Sequence, residues 1–118
     1  MYYQTLYPTR KPGDFDQYIA ALKANLSQPG RFAALKGLGF APKTAAEQRL
    51  GRVKAPALVV MGTQDPDWPD PEEEARFIAE ALSAERVMVE GAGHYPQTEM
   101  PEQVTPAMLV FLARVGTF

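Results

Sequence analysis

Apolar positions in the first half of the chain recur at helical spacing, whereas the second half alternates short continuous apolar runs with amphipathic stripes. In DFDQYIAALKANL (14–26), Phe15, Ile19, Leu22 and Leu26 share one face. Asp14 stands as N-cap with Gln17 three residues on, a capping-box arrangement. Pro29 and Gly30 end that helix. RFAALKGLGF (31–40) sets Phe32, Leu35 and Leu38 on one side of a short helix that Gly37 and Gly39 weaken. TAAEQRLG (44–51) reads as a third short helix, with Thr44 and Glu47 as capping box and Gly51 as terminator.

The pattern changes at Pro56. ALVVMG (57–62) is a continuous apolar run with β-branched residues, the signature of a buried strand. TQDPDWPDP follows as a loop. Asp70, Pro71 and Glu73 then supply an N-cap, a first-turn proline and a capping glutamate for PEEEARFIAEAL (71–82), with Ala75, Ile78 and Leu82 inward. RVMVE (86–90) predicts a second strand and GAGHYPQTEM (91–100) a loop. PEQVTPAMLVFLARV (101–115) predicts a last helix with Val104, Met108, Phe111 and Val115 inward, and Thr105-Pro106 offers residue 106 as an alternative start. Strand, helix, strand, helix in about sixty residues makes a βαβα unit, whose crossover demands adjacent parallel strands and a right-handed connection. The expected fold class is therefore α/β, with a helical segment over residues 1–54 followed by a parallel βαβα unit over 55–118.

Composition narrows the chemistry. The 118 residues contain no cysteine, which removes disulfides, thiol catalysis and thiolate metal sites, and a single histidine excludes a histidine-rich zinc site within one chain. No cofactor is expected. No apolar run reaches the roughly 20 residues of a membrane span, and the opening residues lack the order of a signal peptide, so a soluble cytoplasmic protein is the expectation. Up to Pro56 nine basic residues face three acidic ones, net +6; from Ala57 onward three face eleven, net −8. The basic residues are spread along helices without an aromatic or glycine-rich recognition pattern. Charge complementarity between halves or subunits therefore explains the asymmetry better than nucleic-acid binding.

In parallel α/β folds, functional side chains gather on loops that leave the carboxyl ends of strands. Asp65 follows LVVMGTQ and His94 follows VMVEGAG, so both belong at that edge on neighbouring strands. An aspartate beside a histidine accepts the Nδ1 proton, fixes the tautomer and stabilises the imidazolium, leaving the other nitrogen as general base. Asp67 is the rival acid, and a turn-capping role for Asp65 is the structural alternative. Trp68 and Tyr95 flank the pair, either lining a substrate pocket or packing as loop aromatics. For Tyr2, Tyr3, Phe15 and Tyr18, core or interface packing is preferred to a pocket role. Asp70 is explained by capping.

GTQD (62–65) and GAGHYPQTEMPE (91–102) resemble the two turns that carry the triad acid and the triad histidine in the carboxyl-terminal part of the α/β-hydrolase superfamily. The resemblance covers residues 55–113; residues 1–54 are more loosely similar to the last helices of that family's cap. It implies a partial α/β-hydrolase fold, Asp65 and His94 as catalytic acid and base, and ester or related bond hydrolysis of a small molecule in the complete enzyme. The family's nucleophile elbow, G-x-S-x-G after a strand, has no counterpart. The chain's only serines, Ser27 and Ser83, sit on no such turn, and the glycine-rich oxyanion segment is missing too. The expectation is a hydrolase portion that is inactive alone, or, alternatively, a non-catalytic binding or assembly module derived from a hydrolase. An unpaired edge on the ALVVM strand predicts a partner: a second copy in a homodimer, or an amino-terminal hydrolase portion.

Overall fold

A computed structural model describes residues 2–116. The described residues form two compact units, one comprising residues 2–11 and 50–116, the other Pro12–Arg49. Residues 2–11 thus belong with the sheet-bearing unit.

In the sheet-bearing unit, helix α1 (Tyr2–Thr5) opens an amino-terminal strap. Strands β1 (Leu58–Gly62) and β2 (Glu85–Val89) pair in parallel, with Leu58 opposite Glu85 and Gly62 opposite Val89. A mixed α/β architecture with adjacent parallel strands is therefore present. The crossover helix α5 (Pro71–Leu82) begins as its sequence predicts: Asp70 is extended at the N-cap and its Oδ1 accepts the Glu73 amide at 2.9 Å. Ala75 and Ala79 are its buried residues, with Ile78 and Leu82 only half-buried. Small residues let the helix backbone approach the strands closely.

After β2 the segment predicted as loop contains a further turn of helix, α6 (Pro96–Glu99). Pro96 fixes a helical φ at the first position, and the amides of Thr98 and Glu99 both bond the Tyr95 carbonyl. Helix α7 (Pro101–Val115) runs unbroken with Pro106 inside it. Its inward set is smaller than its periodicity predicts. Val104 is buried and Phe111 half-buried, but Met108 and Val115 are 44% and 42% exposed. A helix of fifteen residues is about 22 Å long, and the two-stranded sheet is too narrow to cover its outer turns. The core of the unit is Val89, Ala92 and Val104, with Val60, Val87 and Met100 packed against it.

The second unit carries α2 (Phe15–Leu26), α3 (Arg31–Gly39) and α4 (Thr44–Glu47). Phe15 and Ile19 are buried as expected. The Asp14 capping box does not form: Asp14 precedes the helix at φ −99°, ψ 13°, away from the extended geometry that lets a cap side chain reach back, and it makes no cap bond. Helix α3 survives its glycines, yet Phe32 and Leu38 are 57% and 69% exposed. Thr44 is the first residue of α4 rather than its cap, Lys43 preceding it without a side-chain bond to the helix, and Gly51 lies inside a 3₁₀ turn over Leu50–Arg52. No helix among the described residues is long and apolar enough to cross a membrane.

Candidate active site

The two turns beyond the carboxyl ends of β1 and β2 are joined by their own backbones. Thr63 and Gln64 donate amide hydrogen bonds to Val89 and Ala92 carbonyls at 3.1 and 2.9 Å, and Thr63 Oγ1 accepts from Gly91 at 2.9 Å. Glycines make this approach feasible. A Cβ on Gly62 would lie 2.2 Å from the carbonyl oxygens of Ala92 and Gly93, and one on Gly93 would lie 2.4 Å from Pro8 Cδ and 2.6 Å from the Leu6 oxygen. Gly91 adopts φ +77°, a conformation that side-chain-bearing residues rarely hold.

This framework sets Asp65 against His94. Both carboxylate oxygens of Asp65 approach Nδ1 of His94, Oδ1 at 3.1 Å and Oδ2 at 3.0 Å. Asp65 is 4% exposed, whereas the His94 side chain keeps 35% exposure. A nearly dry carboxylate facing Nδ1 favours the tautomer with the proton on that nitrogen, which leaves a lone pair on Nε2. Asp65 is held from behind as well: its Oδ1 accepts the Asp67 amide at 3.0 Å, an Asx-turn contact across Pro66.

The rival acid takes part too. Asp67 Oδ2 stands 3.4 Å from His94 Nδ1, and Asp67 Oδ1 accepts a hydrogen bond from the Tyr2 hydroxyl. Desolvation first, and then the hydrogen bond to the Asp67 carboxylate, raises the Tyr2 phenol well above the ordinary tyrosine range. Tyr2 therefore remains a proton donor across the physiological pH range. Asp65, Asp67 and His94 bring ligand-capable atoms within 4.8 Å of one another; the hydrogen-bond geometry is that of an imidazole N–H facing two carboxylates.

The aromatic neighbours differ in their placement. Tyr95 sets its ring edge-on to His94 with centroids 4.9 Å apart and stacks on Tyr7 at 5.0 Å. Trp68 is 38% exposed, and its amide approaches the Asp65 carbonyl at 3.5 Å.

Glu99 is a residue whose importance the sequence pattern did not bring out. It is 1% exposed, yet every buried side-chain polar atom of the described residues has a hydrogen-bond partner. Its Oε1 accepts the amides of Thr9 and Arg10 at 2.9 and 3.2 Å, and its Oε2 accepts the amide of Gly93. One carboxylate thereby clamps the amino-terminal strap to the residue preceding His94. The His94 amide completes the clamp by bonding the Leu6 carbonyl at 3.1 Å, and Leu6 itself is buried. The surface pair of Arg10 and Glu102 at 3.4 Å adds little, both groups being more than half exposed.

Neither serine is placed to serve this pair from within the unit. Ser83 caps the end of α5 just before β2, and so sits at the opposite end of the sheet, one strand length or about 16 Å away. Ser27 follows α2 in the other unit. No family model and no curated protein matches the chain.

Proposed function

We propose that this chain carries the acid–base part of an α/β-hydrolase-type active site, with Asp65 orienting His94 as general base and the nucleophile supplied from outside these 118 residues. The observation that carries the proposal is the two-oxygen approach of a buried carboxylate to Nδ1 of a partly exposed histidine, at the carboxyl edge of adjacent parallel strands. The substrate on this reading is an ester or a compound with a related hydrolysable bond, and Trp68 and Tyr95, which flank the pair, would line its pocket. Without an elbow serine and oxyanion donors, the pair supplies general-base help alone, worth about 10²–10⁴-fold where a nucleophile is positioned.

An added alcohol stands in for that nucleophile. Acyl transfer from p-nitrophenyl acetate to methanol should proceed faster with the chain than with its His94→Ala variant, and equal rates would remove the general-base role.

A second reading, a binding or assembly module derived from such a hydrolase, draws on a separate observation. Leu109, Val110 and Leu112 on α7 are 61%, 59% and 39% exposed, and among the described residues β1 has a strand neighbour on one side only. Those surfaces suit a second copy or an amino-terminal hydrolase portion completing the sheet. Light scattering at micromolar concentration decides it: a monomer speaks against self-assembly.

A further inference from the structure

The geometry points to Asp67 as a second acid for His94, a positioning residue that Tyr2 holds in place, that attracts the Nδ1 proton alongside Asp65 and that keeps it there when Asp65 loses its charge. Three contacts carry this. Asp67 Oδ2 lies 3.4 Å from Nδ1, an ion-pair distance, while Asp65 fills the hydrogen-bonding position at 3.0–3.1 Å. The other Asp67 oxygen is taken by the Tyr2 hydroxyl, which fixes which oxygen faces the ring. The Asp67 amide donates to Asp65 Oδ1, so the two acids are locked in one turn and reach Nδ1 together.

This arrangement makes a specific difference when Asp65 loses its charge. In Asp65→Asn the amide oxygen stays on the Asp67 N–H, because that donor requires an acceptor. The amide nitrogen then occupies the Oδ2 position, 3.0 Å from Nδ1. Left to itself, that NH2 group would donate to Nδ1 and drive the ring to the Nε2–H tautomer. Asp67 opposes the switch, since its carboxylate still attracts a proton on Nδ1. The inference concerns the imidazole itself and stands whether or not the chain turns over an ester.

The chain contains one histidine, so a ring-labelled [15N]histidine sample reports on His94 alone. The native protein and Asp65→Asn should both show Nδ1 as the protonated nitrogen above the histidine titration. Asp65→Asn/Asp67→Asn should show loss of the Nδ1–H pattern and appearance of the Nε2–H one. Asp65→Asn/Tyr2→Phe should show the same loss, because Asp67 is then untethered. A switch to Nε2–H in Asp65→Asn alone would overturn the inference. Should the buried Asp65 substitution prevent folding, Asp67→Asn by itself remains decisive, its side chain being 28% exposed. The Nδ1–H proton should exchange with water faster in that variant, and an unchanged exchange rate would equally overturn the assignment.

Discussion

The carboxylate of Glu99 accepts the amide proton of Gly93, the residue immediately before His94, and with its other oxygen accepts the amides of Thr9 and Arg10. The position of the candidate base therefore depends on a strap that lies more than eighty residues away in sequence. Hydrogen bonds to a buried charged group contribute about 1.5–3 kcal/mol each, and stranding their donors costs at least as much. Glu99→Gln has one acceptor oxygen where two are used and brings an NH2 group against one of the amides. It should lower stability by on the order of 3 kcal/mol, read as a lower urea midpoint. An unchanged midpoint would mean that the strap is not held by this residue.

The turn glycines give a second expectation. Gly62→Ala and Gly93→Ala each force a methyl group into backbone or proline atoms at 2.2–2.6 Å, an overlap that side-chain movement cannot relieve at Gly62. Each should cost more than about 3 kcal/mol and yield little folded protein. Gly37→Ala in α3 meets open space and should instead stabilise by about 0.5–1 kcal/mol. Thermal melts of the three variants side by side make the comparison.

Tyr2 gives a spectroscopic expectation. Its phenol is raised above the ordinary tyrosine value by desolvation and by the Asp67 carboxylate. A group whose folded-state value is raised stabilises the fold fully below the unfolded value, about 10 for tyrosine, and loses that contribution as pH rises through the folded one. The difference between ultraviolet titrations of the native chain and Tyr2→Phe should therefore be a step displaced above the ordinary tyrosine range. Asp67→Ala should bring that step down. A Tyr2 step at the ordinary position in the native chain would contradict the Tyr2–Asp67 contact.

Much of the sheet-bearing unit was legible because its signals are local. The apolar run before Gly62, the Asp70-Pro71-Glu73 cap and the strand before Gly91 each specify structure within a few residues, and the structure agrees. Asp65 and His94 were likewise legible from their places after two strands. The failures share a different cause. Asp14 and Thr44 have the right residue types for caps, but the approach of the chain decides whether a side chain reaches the helix, and no spacing rule encodes that approach. Met108 and Val115 keep helical period yet remain exposed, because periodicity names a face and the width of the sheet decides how much of it is covered. Nothing in the sequence sets Glu99 apart from the other acids, and Tyr2 reads as a packing aromatic. The strap partners of Glu99, Thr9 and Arg10, and the partner of Tyr2, Asp67, are fixed by tertiary approach: they stand 90, 89 and 65 positions away in sequence.

The most direct test of the account is hydrolysis of p-nitrophenyl acetate in water by the purified chain beside His94→Ala, with no alcohol added. An oriented base lacking its own nucleophile predicts at most a modest His94-dependent acceleration of water attack, with no burst of p-nitrophenol and no acetylated serine or aspartate in the mass spectrum. A burst with repeated turnover through such an acetylated residue, both lost in His94→Ala, would show that a working nucleophile lies within these 118 residues, and would contradict the central claim.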